Sequence, residues 1–147
     1  MIQAIAEYSW DKLGAGTDLS VKPGDDPIEV LRKGCAQWIP TNPDDAPYLR
    51  VHLEVFFHSI DDPSLTAAME QVDGSGLAQW KEIVRAAQAT GQIDPSRDPE
   101  DVVSNLWAMT DGLLLGAAGH PKYFTKKRLI RLWDQAFDAI VTWSPAS

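Results

Sequence analysis

The stretch Asp98–Gly119, DPEDVVSNLWAMTDGLLLGAAG, constrains the fold more than any other part of the chain. Asp98 can cap a helix, Pro99 suits the first helical position, and the two acidic residues that follow complement the helix dipole. Apolar residues then occupy nearly the whole circumference of the predicted helix. A helix of this kind is buried on more than one side. We expect one side to meet the chain's own core and another to meet a second protein chain.

The composition narrows the class of protein. A length of 147 residues suits one domain with a substantial core. The formal charge of -8 makes the chain as a whole a poor candidate for gripping a phosphate backbone. The single cysteine, Cys35, excludes a disulfide framework and a cysteine-based zinc site. We recognise no transmembrane run and no signal peptide, so we expect a cytoplasmic protein without a membrane partner.

Hydrophobic periodicity predicts helices throughout and no strand. We therefore expect an all-α domain spanning residues 1–147 and built as a six-helix bundle. The predicted helices cover residues 2–13, 27–40, 46–60, 64–90, 98–119 and 125–143, with a linker-like loop at 14–27. Asp-Pro pairs mark three of the helix starts, at residues 26, 62 and 98. Gly74-Ser75-Gly76 interrupts the fourth pattern, where we expect a break or kink.

The titratable residues show no catalytic or metal-binding pattern. His52 and His58 are six residues apart, which does not place them on one helix face as metal ligands. Paired carboxylates all lie near predicted helix starts, where capping explains them. No nucleophile elbow, phosphate loop or dinucleotide fingerprint is present. We predict a protein that is not an enzyme, without cofactor or metal; a small helical enzyme using His52 and Asp111 as acid and base remains an alternative.

Aromatic side chains are spread over several predicted helices. Close packing of many indoles is geometrically difficult, and an apolar pocket between helices with a few polar groups is a common ligand site. Tyr8 and Asp111 can supply further polar groups at its edge. We predict a pocket lined by Trp10, Trp38, His52, Phe56, Trp80 and Trp107.

An ordered set of motifs in the second half of the chain points to a family. Trp80 and Ile83-Val84 precede Gly91-Gln92-Ile93, and Asp98-Pro99 opens the next helix. Leu106-Trp107-Ala108 and Asp111-Gly112-Leu113 then follow in order. Over residues 77–143 this set resembles the C-terminal half of TetR-family transcriptional regulators. Before residue 77 the similarity lies only in helix order and length.

The resemblance implies a ligand-sensing, homodimeric repressor. Its last two helices pack with those of a second subunit as a four-helix bundle, and a small hydrophobic effector binds among the other helices. The resemblance and the two-sided helix together suggest that Leu106, Trp107 and Met109 face the pocket. The residues expected at the dimer interface are Val103, Leu114, Leu115, Trp133, Phe137 and Ile140.

Operator DNA is read in that family by an N-terminal helix-turn-helix domain, which we do not recognise in this sequence. We expect Met1 to fall partway along the family's fourth helix, in a fragment or in a natural shortened form. DNA is then expected as a partner only through a domain outside this chain. A third interpretation is a helical protein-interaction module that binds a different partner.

Overall fold

The computed structural model describes residues 19–39 and 46–145, except for some side chains on the second and third helices. It contains α1 (Pro27–Ala36), α2 (Ala46–Ser59), α3 (Pro63–Ala89), α4 (Pro99–Gly119) and α5 (Lys126–Thr142). No strand occurs within these ranges, which confirms the all-α class. The predicted helix at residues 2–13 and the start of the linker-like loop lie outside the described residues. None of the described helices has the length and apolar character needed to span a bilayer.

Local capping fixes where the helices begin. The side chains of Asp26, Asp62 and Asp98 each accept a hydrogen bond from the backbone N–H two residues later, at 2.8–3.0 Å. The proline between each pair has no N–H to satisfy, so it fits the first helical position without loss. The Thr125 hydroxyl oxygen caps α5 by accepting a hydrogen bond from the N–H of Arg128, three residues later, at 3.4 Å. All four of these predicted starts are confirmed.

The end of α1 differs from the sequence prediction. The helix stops at Ala36, and a tight turn follows in which the N–H groups of Trp38 and Ile39 bond to carbonyls three residues back, each at 3.1 Å. The residue that precedes a proline is disfavoured in the helical conformation, so Pro40 favours an end of α1 before that position. Trp38 therefore follows the helix, although the predicted range 27–40 places it within the helix.

The helix α3 runs without interruption from Pro63 to Ala89, so the predicted break at Gly74-Ser75-Gly76 is wrong. A glycine inside a helix costs about 1 kcal/mol relative to alanine, but it keeps its backbone hydrogen bonds. Packing holds both halves, since Leu65 is buried in the first half and Ile83 and Val84 are buried in the second. Tertiary contacts outweigh the local preference.

The hydrophobic core lies between α1, the second half of α3, α4 and α5. Leu19 and Val21, which precede α1, pack against it, so this part of the connection is attached to the domain. At the other end, the outer end of the Phe124 ring packs on α4, where a Cβ at Gly116 would come within 2.7 Å of it. The largest fully buried side chains are Leu31, Cys35, Ile83, Val84, Ile93, Val102, Val103, Leu106 and Phe137.

The connection between α3 and α4, residues 90–98, is tied to two other helices. The Gln92 side-chain amide donates to the capping carboxylate of Asp26 at 2.8 Å, which links the connection to the start of α1. Arg97, a residue that is only 8% exposed, donates through its guanidinium to the carbonyl oxygens of Ile140 at 2.5 Å and Trp143 at 3.2 Å. These carbonyls belong to the last turn of α5 and its flank, which have no partner within the helix. Arg97 therefore holds the end of α5 against the start of α4.

Replacing Arg97 with methionine tests this contact. Arg97→Met keeps an unbranched side chain of comparable length but removes the charged donors, so we expect the free energy of unfolding to fall by about 2 kcal/mol. Urea unfolding followed by circular dichroism gives the value. Arg50→Met is the control, because the ion pair of Arg50 with Glu54 is exposed and should contribute under about 0.5 kcal/mol. Equal losses in the two variants would contradict the assigned role.

Candidate functional site

The structure distributes the predicted pocket residues over four places. Trp38 follows α1, Trp80 lies on α3 and Trp107 on α4, and all three side chains are half-buried. Phe56 on α2 is 40% exposed. Trp10 lies outside the described residues, and of His52 only the backbone, within α2, is described. The pocket lining as a whole stays a prediction.

Phe56 belongs to an exposed aromatic pair. Its ring meets that of Phe57 edge-on, with centroids 5.7 Å apart, and Phe57 and Ile60 are even more exposed than Phe56. Trp80 instead packs against the core cluster. No ring contact joins Trp80 to Trp107 within the described part of the chain. The half-buried indoles, more than Phe56, are therefore the candidates for contact with a ligand.

One flank of α4 combines an indole with a carboxyl group. Trp107 and Asp111 are four residues apart, so they are neighbours on the same side of the helix. Both are half-buried, beside the buried Thr110 and Leu114. The Thr110 hydroxyl donates to the carbonyl of Leu106 at 2.8 Å and is thereby satisfied. Asp111 is left as the polar group on this flank that can meet a ligand.

The Asp111 carboxyl has no hydrogen-bond or ion-pair partner among the described residues. Burial alone raises its pKa from 3.8 to about 6, because the charged form loses hydration and gains nothing in exchange. Unpaired carboxyls with raised pKa values are concentrated at functional sites. The sequence indicates Asp111 as a polar edge of the pocket, as an acid or base in the enzyme alternative, and as part of the Asp111-Gly112-Leu113 motif. That the Asp111 carboxyl has no partner among the described residues is known only from the tertiary structure.

The described residues support neither a reactive thiol nor a metal site. Burial raises the pKa of the Cys35 thiol, which is fully buried and therefore poorly reactive. Within the described ranges, no three His, Cys, Asp or Glu side chains converge on a possible metal position.

Four of the six residues expected at the dimer interface are buried in the chain's own core. Val103, Leu114, Trp133 and Phe137 are between 0% and 5% exposed, so a partner chain has almost no surface of theirs left to cover. Leu115, by contrast, is 42% exposed, and Ile140 is half-buried. For the four buried residues the assignment is therefore corrected to core packing. Whether the chain dimerises stays a prediction.

The burial of Trp133 and Phe137 has an identifiable cause on α1. Arg32 forms ion pairs with Asp134, at 3.3 Å, and with Asp138 on α5. Its guanidinium lies 4.4 Å from the centroid of the Phe137 ring. Thus the Arg32 side chain on α1 covers part of the face of α5 that the sequence assigns to a partner chain. Residues about one hundred positions apart make this contact, and no local sequence pattern reports it.

Besides Asp101 and Asn105, the outward surface of α4 exposes four small or apolar residues spaced by four, four and three: Ser104, Ala108, Gly112 and Leu115. We call this set the outward α4 stripe. It lies opposite the buried residues Val102, Leu106 and Thr110. The expected two-sided helix is thus present, but its outer side is narrower and smaller in side-chain volume than the sequence suggests.

The variant Asp111→Asn tests the electrostatics of the α4 flank. Because the pKa of Asp111 is raised on folding, its contribution to stability is greatest at low pH and is lost as pH rises from about 4 to about 6. We expect Asp111→Asn to be more stable than the wild type by roughly 1 kcal/mol at about pH 7.5, after allowance for solvent screening. Urea unfolding at several pH values measures the difference, which should vanish near pH 3.5 (about the usual carboxyl pKa). A difference that does not change with pH would refute this account of Asp111.

Comparison with known proteins adds an independent finding. The family model described as "BetI-type transcriptional repressor, C-terminal" matches residues 27–142, which is most of the chain. No curated protein and no solved structure gives a significant match. The match covers all five described helices and agrees with the motif order between Trp80 and Leu113. It also sets aside the alternative of a small helical enzyme, since this domain is regulatory and non-enzymatic. The chain belongs to the TetR family of transcriptional repressors, with a BetI-type C-terminal domain over residues 27–142.

Proposed function

We propose that this domain senses a small hydrophobic effector and forms a homodimer through the outer surfaces of α4 and α5. The observation that carries the dimer is the outward α4 stripe, which ends in the exposed side chain of Leu115. Exposed small residues let a second helix approach closely, and a large apolar residue beside them supplies buried area. This pattern fits a helix-to-helix contact better than a solvated surface.

The neighbouring helix provides a second apolar surface. Leu132, Ala136 and Ile140 follow one another at intervals of four residues on α5, and all three remain half-buried. They flank the fully packed series that contains Trp133 and Phe137. A second copy that covers this flank and the outward α4 stripe would complete a four-helix bundle. The expected interface therefore keeps Leu115 and Ile140 and loses the four core residues.

Placing a charge on the outward α4 stripe tests the dimer. Leu115→Asp puts an unpaired carboxylate into the proposed interface, and we expect dimerisation to weaken by about 100-fold, which corresponds to about 2.7 kcal/mol. Sedimentation velocity over a concentration series gives the dissociation constant. Ile60→Asp is the matched control, because Ile60 is a more exposed apolar residue at the end of α2. A wild-type chain that stays monomeric throughout would defeat the proposal, and a hetero-complex in its place would support the protein-interaction alternative.

The effector proposal rests on the half-buried indoles and on Asp111. Trp80 and Trp107 lie on two helices that pack side by side, joined near their connection by the ion pair of Lys81 with Glu100 at 3.2 Å. Apolar walls with few polar groups are typical of small-molecule sites, and Asp111 can contribute a hydrogen bond. A hydrophobic compound, aromatic or otherwise, fits this chemistry.

Trp107 offers a direct test of effector binding. We use N-phenyl-1-naphthylamine, a neutral hydrophobic fluorophore, as the probe and expect saturable energy transfer from tryptophan. Trp107→Leu should weaken probe binding by about 10-fold, because it removes a large contact area from the site. Trp143→Leu is the control, since Trp143 is exposed beyond α5. Non-saturable binding, or equal losses in both variants, would count against a pocket at Trp107.

The regulatory output follows from linkage. An effector changes DNA affinity only through its different affinities for two arrangements of the dimer. In TetR-type repressors those arrangements set the spacing of two helix-turn-helix domains. We infer that α4 carries the coupling here, because the flank that holds Trp107 and Asp111 lies directly beside the outward α4 stripe.

A further inference from the structure

Positive charge is concentrated in one part of this acidic chain. Residues 112–133 contain five of the 13 lysines and arginines and no aspartate or glutamate, although the formal charge of the whole chain is -8. The five residues form what we call the basic cluster: Lys122, Lys126, Lys127, Arg128 and Arg131. Net charge alone conceals this asymmetry, and surface recognition depends on local charge.

The fold brings the basic cluster to one end of the molecule. Its residues lie in the turn between α4 and α5 and in the first two turns of α5. Four of the side chains are exposed, and that of Arg128 is half-buried. From Lys126 to Arg131 the cluster extends about 7.5 Å along the axis of α5, since each helical residue rises 1.5 Å.

The cations of the basic cluster are not neutralised within the described part of the chain. Elsewhere, Arg32, Lys81 and Arg85 each form an ion pair with a carboxylate. None of the five cluster residues does so among the described residues. The helix dipole adds to the cost, because cations are disfavoured in the first turn of a helix. Anionic charge supplied by a binding partner would remove this mutual repulsion.

An aromatic ring lies within the cluster. The Arg128 guanidinium lies 4.1 Å from the centroid of the Tyr123 ring and donates to the Tyr123 carbonyl at 3.1 Å. The side chain of Tyr123 is 60% exposed. This contact holds Arg128 at the surface, near the exposed lysines. The exposed cations and the exposed ring suit contact with an extended charged surface.

We propose that the basic cluster binds the phosphate backbone of double-stranded DNA without sequence preference. Duplex DNA carries one negative charge per about 1.7 Å of its axis, so a cluster about 7.5 Å long faces several phosphates at once. The chain belongs to a family of transcriptional repressors, and such proteins act close to duplex DNA, which is a polyanion. Backbone contacts of this kind add affinity and orientation and leave sequence reading to other residues.

Salt-dependent binding of a duplex to the 147-residue chain tests the proposal. A fluorescein-labelled 20-base-pair duplex of arbitrary sequence serves as the probe, with anisotropy as the readout. With three or four phosphate contacts, affinity should fall by about 10²- to 10³-fold between about 25 mM and about 150 mM salt. Lys126→Gln/Lys127→Gln should reduce the slope of log affinity against log salt by about 2, roughly 1 for each lysine.

Lys33→Gln/Arg50→Gln is the matched control, since it removes two positive charges from exposed positions on α1 and α2. The proposal holds if the control keeps the wild-type slope while the cluster variant loses it. It fails if the wild-type chain does not bind the duplex at the lowest salt, or if both variants lose the same slope. Equal or tighter binding to poly-glutamate, or to vesicles containing phosphatidylserine, overturns it in favour of an acidic protein or a membrane surface. Circular dichroism of both variants verifies that each is folded.

Discussion

Every other described helix packs against α4, and the burial of α4 is the constraint on which the rest of the structure depends. Its inner side contributes Val102, Val103 and Leu106, all 0% exposed, to the core shared with α1, α3 and α5. Because so much of its circumference is used within the chain, the apolar surface left outside is a narrow stripe of small residues and Leu115, beside the polar Asp101 and Asn105. The same burial deprives Asp111 of water on the flank between these two sides. The core and both proposed sites therefore depend on how one helix divides its surface.

Polar contacts over long sequence distances then fix the helices around α4. Arg97 satisfies carbonyls at the end of α5, and Gln92 reaches the cap of α1, so a nine-residue connection holds three helix ends together. Arg32 does similar work at the opposite side of α5, where it neutralises two carboxylates and covers Phe137. The carbonyl acceptors of Arg97 favour one arrangement of the helices, since another arrangement would leave its charge without them. These contacts tie α1 and the connection that follows α3 to α5, one of the two helices proposed to form the dimer.

Charged residues are distributed unevenly over the helix starts. Carboxylates cap the helix starts at Asp26, Asp62 and Asp98, where the dipole favours them. Cations instead collect at the start of α5, where the dipole disfavours them. Capping explains the position of the carboxylates, whereas no ion pair in the described part of the chain compensates the cations at the start of α5. The uncompensated cations at the start of α5 therefore mark the place where an anionic partner would stabilise the protein most.

The sequence by itself determined the helices and the family. Aspartate caps, prolines at first helical positions and periodic apolar residues act within a few residues of one another, so they predict the helix starts and the all-α class. The motif order from Trp80 to Leu113 was sufficient to indicate the TetR family. Tertiary structure alone decided which apolar surface stays outside. Val103, Leu114, Trp133 and Phe137 look no different in sequence from interface residues, because helical periodicity specifies a face but not what packs on it. Packing also carried α3 through Gly74 and Gly76, and burial left Asp111 unpaired, since both outcomes depend on contacts between residues far apart in the chain.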